Sequence, residues 1–255
     1  MRPDFIAPTT GEPVGSIAER VAELNASYKH HSATDVLHRA ITDPQVGKIA
    51  LVSSFGAESV VLLHMAAIKN RHIPVLFIDT EMLFAETLAY QLELTERLRL
   101  TNVQVIRASR EAVFERDNEG LLHQYDPDAC CALRKTEPLQ NALKGYDAWI
   151  TGRKRYQGKT RAALDFFEAE GNLRIKVNPL AHWEMSDLQD YIAENRLPRH
   201  PLVAKGYPSI GCQPCTTRVN DGEDPRAGRW RNLDKEECGI HFVDGKLVRG
   251  PKAAA

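Results

Sequence analysis

From Lys48 to Arg153 short β-rich runs alternate with helical stretches, and this alternation constrains the fold more than any other feature of the chain. Strands are read at IALVSSF (49–55), PVLFIDT (74–80), NVQVIRAS (102–109) and DAWITGR (147–153), with helices near 58–70, 83–98 and 134–144. Strands joined by helical crossovers run parallel, and a parallel sheet is covered on both faces. The expected fold class is therefore α/β, a parallel sheet flanked by helices. Ahead of it, Ser16-Ile-Ala-Glu19 has the form of a capping box, and Val21, Leu24, Val36, Leu37 and Ile41 continue a helical section that Pro44 and Gly47 end. Beyond it, residues 164–180 read as a hairpin turning near Glu170-Gly171-Asn172, and Ser186-Asp-Leu-Gln189 caps a helix ending around Leu197-Pro198.

The 255 residues are 43% hydrophobic, enough for one large α/β domain. With a formal net charge of -1, no global field recruits nucleic acid or an anionic membrane surface, so any anion site must be local. Neither a signal-type apolar region nor a run of membrane-spanning length is present in the sequence, and the expected setting is a reducing cytoplasm.

Ligands of an open parallel sheet bind beyond the carboxyl ends of its strands. The first such loop, Ser53 to Ser59, has small residues, hydroxyls and a following helix N-terminus that can hold a phosphate, although an ordinary turn reads the same way. It lacks the second glycine and the Lys-Ser/Thr of a Walker A loop. At the second strand end Asp79 and Thr80 suit either a ligand or a helix cap. A basic, glycine-punctuated loop follows the fourth strand, Thr151-Gly-Arg-Lys-Arg155 through Gly158-Lys-Thr-Arg161, and Arg226-Ala-Gly-Arg229-Trp-Arg231 adds a second basic cluster. Two local clusters on a near-neutral chain suit one small polyanion better than DNA.

Five cysteines divide into the adjacent pair Cys130 and Cys131, the pair Cys212 and Cys215, and Cys238 alone in ECGIH. An odd count argues against a disulfide framework. Four thiolates hold either zinc or a 4Fe-4S cluster, and the adjacent pair favours the cluster over spaced zinc knuckles; buried structural thiols are the plainer alternative.

SFGAES, FIDT, CCALRKTEPL, TGRKRYQGKTR, HPLVAKGYPSIGCQPCTT, AGRW and ECGIH occur in this order, and through them the chain resembles the assimilatory, thioredoxin-dependent adenylyl-sulfate reductases of the PAPS/APS reductase family. The resemblance covers nearly everything from about Lys48. It implies a Rossmann-like sheet of the adenine nucleotide alpha hydrolase type in a single domain over 1–255. Within it, 1–45 would hold the N-terminal helices, 46–218 the nucleotide and cluster core, and 219–255 a mobile C-terminal arm. SFGAES stands where an ATP-using relative carries Ser-Gly-Gly-x-Asp-Ser, a departure that suits phosphosulfate in place of triphosphate, and Phe55 replaces a small polar residue common in relatives.

The activity implied is conversion of adenosine 5′-phosphosulfate to sulfite and AMP. Cys238 would be the catalytic nucleophile, forming an S-sulfocysteine that thioredoxin or a glutaredoxin-like dithiol resolves. Cys130, Cys131, Cys212 and Cys215 would ligate one 4Fe-4S cluster. Substrate contacts carry over to Ser54, Gly56, Ile78, Thr80, Lys135, Gly152, Arg161, Arg226, Arg229 and His241. Glu236 and Glu237 would raise the Cys238 thiol pKa, so basic neighbours must offset them. Neither nucleic acid nor membrane is an expected partner, and a homo-oligomer is compatible with the sequence. The alternatives are reduction of the 3′-phosphorylated substrate, alone or with the first, an ATP-dependent PP-loop sulfur transferase, and a non-catalytic cluster sensor.

Overall fold

The structure, a computed structural model, describes residues 15–158, 161–231, 233 and 235, and the backbone of two short strands at 242–243 and 246–247. Helix α1 (Ile17–Tyr28) opens with Ser16 and Glu19 in the reciprocal capping box expected from the sequence. The helical section that follows is not continuous: Ser32 caps a second helix, α2 (Ala33–Ala40), by accepting from the Asp35 N–H at 3.1 Å.

β1 (Ile49–Ser53), α3 (Ser59–Lys69), β2 (Val75–Ile78), α4 (Ala85–Arg97) and β3 (Val103–Ile106) follow, all within the segments read from periodicity. Three short helices that the sequence reading did not separate come next: α5 (Arg110–Asp117), α6 (Leu122–Tyr125) and α7 (Pro127–Cys131). α7 runs through a π-helical turn at Ala132–Thr136 into α8 (Glu137–Ala142). Thus the helix expected from 134 begins seven residues earlier and carries Cys130 and Cys131. Its start is chemically specified, because the Asp126 carboxylate accepts from the N–H groups of Asp128 and Ala129 at 3.1 and 2.9 Å and Pro127 occupies the first turn.

β4 (Ala148–Ile150) returns to the sheet. β5 (Phe167–Glu170) and β6 (Arg174–Val177) form the expected hairpin and also extend that sheet, β6 lying parallel to β4. The strand order is β3-β2-β1-β4-β6-β5, parallel except for β5. Side-chain alternation divides the interior into two layers. Leu51, Val75 and Phe77 face the larger cluster with α1 to α3, whereas Ala50, Leu76, Ile78 and Trp149 face α8 through Leu139 and Leu143. The larger cluster runs continuously from Leu24 to Leu197.

α9 (Met185–Glu194) starts at Glu184, whose N–H donates to Asp187 at 2.7 Å, so the cap lies two residues before the expected Ser186. It also ends short of Leu197, at Glu194, and two residues on Arg196 has a φ of +48°. β7 (Phe242–Val243) and β8 (Lys246–Leu247) pair antiparallel near the C-terminus.

The segment after α9 is pinned by His200, which is 1% exposed. Its Nδ1 accepts from the Leu202 N–H at 3.2 Å, and Nε2 lies 3.0 Å from Thr87 Oγ1 on α4. Burial holds its pKa down, to about 4. Folding therefore favours neutral imidazole. The unfolded state binds more protons between about pH 4 and 6.5, so stability rises with pH across that window. Urea unfolding at pH 4.5 and 7 is expected to show the gain, and His200→Asn to lose most of its slope.

Candidate active site

At the end of β1 the chain turns through Phe55, whose φ of +48° is uncommon for a bulky residue. An edge-to-face contact with Phe77 at 5.1 Å and complete burial hold it there. The aromatic ring thus anchors the loop from beneath, leaving Ser54 and Gly56 to line the open side. Helix α3 begins at Glu58 with no side-chain cap, so its N-terminal dipole end faces this opening.

The opening belongs to a cleft of about 530 Å³ above the ends of β1, β2 and β4. Ser54, Gly56, Ile78, Thr80, Lys135, Gly152, Arg161, Arg226 and Arg229 all line it, nine residues drawn from five separate parts of the sequence. His241 and Cys238 lie outside the described residues.

The cations of the basic loop are divided between two tasks. Arg153 pairs with Glu168, Arg155 lies 3.8 Å from Asp165, and Lys154, only 2% exposed, pairs with Glu58. Burial pulls the Lys154 pKa down while Glu58 opposes that shift. Glu58 also accepts from Tyr156 Oη at 3.1 Å and Gln157 Nε2 at 3.2 Å, and Gln157 Oε1 accepts from Arg161. Sequence reasoning missed this network, although Glu58 sits inside SFGAES, because its partners are nearly a hundred residues away.

Asp79 caps no helix, and the cap reading is corrected. It is 4% exposed, accepts from the Glu81 N–H at 2.9 Å and pairs with Arg107 at 2.8 Å. Thr80 is equally buried, and its Oγ1 lies 3.2 Å from Cys212 Sγ. Arg134 is likewise committed, to Asp117 at 2.8 Å and to the Thr80 carbonyl at 3.1 Å.

Beside the cleft, Cys130, Cys131, Cys212 and Cys215 line one small cavity, and Thr80 and Lys135 border both spaces. None of the four thiols is in a disulfide. Burial, and then the neighbouring Cys131 and Cys212, push the Cys130 thiol up to about 12. Among the described residues no three His, Cys, Asp or Glu side chains converge as around a single metal ion. The four cysteines around this cavity are the residues that could hold a cluster, because a cubane takes one thiolate per iron.

Two glycines set the position of Arg229. A Cβ on Gly211 would stand 2.3 Å from Arg229 Nη2, and one on Gly228 would stand 2.2 Å from the Thr217 carbonyl oxygen. Arg229 stacks on buried Trp230 at 4.4 Å and donates to the Ile210 carbonyl at 3.3 Å. Trp230 therefore packs behind the arginine. Trp149 is buried in the smaller core cluster, and Trp183 packs on Tyr191.

With this geometry in view, residues 48–218 match the phosphoadenosine phosphosulfate reductase domain family, and the chain belongs to that family. Among its relatives, a protein of Mesorhizobium japonicum named adenosine 5′-phosphosulfate reductase is 49% identical, covering 91% of each chain. One of the same name from Mycolicibacterium smegmatis is 39% identical over 92% of this chain and 98% of its own. The crystal structure of a phosphoadenylyl-sulfate reductase from Candida auris in a phosphate complex superposes with a TM-score of 0.68 at 27% identity, covering 81% of this chain and all of the other. Yeast FAD synthetase shares the fold at 19% identity and a TM-score of 0.50.

The two glycines give contrasting expectations. Gly228→Ala clashes with backbone and is expected to cost about 1–3 kcal/mol in denaturant unfolding. Gly211→Ala meets the tip of a flexible side chain, so it should cost under about 1 kcal/mol while displacing Arg229.

Proposed function

We propose that this protein reduces adenosine 5′-phosphosulfate to sulfite and AMP, with Cys238 as nucleophile. The observation that carries the reading is the convergence of Lys135, Arg161, Arg226 and Arg229 on one cleft at the strand ends, beside a quartet of cysteines. Relatives named for this reaction, similar over nine-tenths of the chain, support it.

Phosphosulfate carries negative charge at both its phosphate and its sulfate. Arg forks and the α3 N-terminus suit those oxygens, and the apolar strand ends and Ile78 suit the adenosine. The Cys238 thiolate attacks the sulfate sulfur; the new S–S bond forms as the S–O bond to phosphate breaks, and AMP leaves with that electron pair. A dithiol protein of the thioredoxin type then attacks Cys238 Sγ, releasing sulfite. Its second thiol closes the donor disulfide and returns Cys238, so two thiols are oxidised as sulfur is reduced by two electrons.

The start of the C-terminal arm supports this role. The Trp230 N–H donates to the Cys215 carbonyl at 3.1 Å, and Lys235 pairs with Asp128 at the head of α7. Cys238 lies three positions after Lys235, a reach of at most about 11 Å. A cysteine tethered at that distance can serve the cleft and then a protein partner.

Cys130, Cys131, Cys212 and Cys215 would hold a 4Fe-4S cluster. When bound it would supply an added charge beside Lys135 and tie α7 to the Cys212–Cys215 turn, with no electron required from it in the thiol route. We assign the unphosphorylated nucleotide as substrate, the 3′-phosphorylated form being the second reading that the family description allows.

Anaerobically purified protein given thioredoxin is expected to release sulfite from adenosine 5′-phosphosulfate in strong preference to its 3′-phosphorylated form. Equal rates would replace the specificity, and no sulfite from either would remove the reading. Cys238→Ser should bind AMP yet release no sulfite. Cys212→Ser should lose iron and labile sulfide together; unchanged contents would dismiss the cluster assignment.

A further inference from the structure

Glu58 poses a problem that the reductase reading leaves open. It places a carboxylate at the N-terminus of α3, on the wall of a cleft meant for an anion, where like-charge repulsion opposes binding. The side chain is nevertheless fully engaged. Oε1 accepts from Tyr156 Oη, and Oε2 accepts from both Lys154 Nζ and Gln157 Nε2.

The Gln157 contact has a directional consequence. A carboxylate only accepts hydrogen bonds and a guanidinium only donates them, so an amide lying between the two has one satisfied orientation. Gln157 turns its NH₂ to Glu58, and its Oε1 accepts from Arg161 Nη1 and from the Lys154 N–H at 3.2 Å. Arg161 is 9% exposed and lines the cleft, so a partner that fixes one edge of its guanidinium also fixes the edge presented to a ligand. Burial pulls the Lys154 pKa down, and the paired Glu58 carboxylate opposes that shift as its counter-ion.

We propose that Glu58 is a positioning residue: acting through the Gln157 amide it aims Arg161 into the cleft, while cancelling the charge of Lys154 beside it. The cleft then presents Arg161, and not Lys154, to the anion. This rests on the reading of the cleft as the adenosine 5′-phosphosulfate site.

The test is an exchange of the two side chains. Glu58→Gln lets the Gln157 amide turn over and point NH₂ at Arg161, and Gln157→Glu sets two carboxylates together. The double exchange, Glu58→Gln with Gln157→Glu, restores a donor facing an acceptor and an acceptor facing Arg161, and it keeps one carboxylate in the cluster, now at 157, to offset Lys154. Each single variant is expected to raise KM for adenosine 5′-phosphosulfate about tenfold with kcat little changed, the scale of losing one charged hydrogen bond. The double exchange should return KM to within about threefold of wild type, a coupling that additive structural damage does not produce. Singles that leave KM unaltered, or a double variant no better than the worse single, would overturn the relay.

Should a single variant lower the thermal midpoint, Gln157→Met is measured alone and in an Arg161→Met background. A relay requires its effect to vanish there, and full additivity refutes it. Calorimetry of AMP with the wild-type protein separates failure of the adenosine 5′-phosphosulfate site from failure of the relay. Wild type that neither binds AMP nor turns over substrate overturns the functional reading and this proposal with it. AMP binding and turnover in the wild type, with indifferent variants, overturn the relay alone.

Discussion

Five strands running in one direction are the constraint from which the rest of this molecule follows. Because β3, β2, β1, β4 and β6 are parallel, their carboxyl ends all reach the same edge of the sheet. The order reverses between β1 and β4, which are neighbours, and the loops that follow these two strands form the two sides of a crevice at that edge. Ser54 and Gly56 come from one side of that crevice and Gly152 and Arg161 from the other. Its floor needs no special design. Both faces of β1, β2 and β4 are already committed to apolar layers, so at the centre of the sheet polar chemistry is available where those strands end.

Charge in this region is decided by pairs formed across long stretches of chain. Of the basic residues crowded after β4, those nearest the strand are taken up by carboxylates from elsewhere: Glu58 after β1, Glu168 on β5, Asp165 before it. Buried pairs such as Lys154 with Glu58 contribute little net stability, because desolvation offsets attraction, but they fix geometry. Arg134 with Asp117 follows the same logic on the other side, clamping the Thr80 carbonyl and so the bend after β2. The cleft's electropositive character therefore comes from cations at its rim that arrive from Lys135, Arg161, Arg226 and Arg229.

This explains what could and could not be read from the sequence. Strand and helix periods are local, and β1 to β4, α3 and α4 all fell within the expected segments. The candidate contacts from Ser54 to Arg229 came from an ordered set of motifs and line one cleft. What was missed is either short or remote. The segment 127–131 is too brief to show a helical period, although Asp126 and Pro127 carried a start signal. Asp79 suited a helix cap by composition, and the arrival of Arg107 from just beyond β3 gives it a different partner. The Glu58 network joins residues nearly a hundred positions apart, a separation that single-sequence patterns do not register.

Residues 210 to 217 join the parts that the sheet alone does not connect. The Gln213 N–H donates to the Met82 carbonyl at 2.7 Å and Cys212 bridges to Leu83, which fastens this turn to the end of β2. Thr216 pairs with Arg229, and the Thr217 N–H donates to the Gly228 carbonyl at 2.8 Å, fastening it to the base of the arm. Cys212 and Cys215 lie between these two attachments and face Cys130 and Cys131 across their cavity. Any group holding the four thiols would therefore brace both fastenings at once, and with them Thr80 on one side of the cleft and Arg229 on the other. Bridged in that way, the quartet would act on the chemistry without touching the reacting atoms: it would set the distance between the bend after β2 and the arginines of the arm, and a cleft that grips a small dianion is sensitive to that distance.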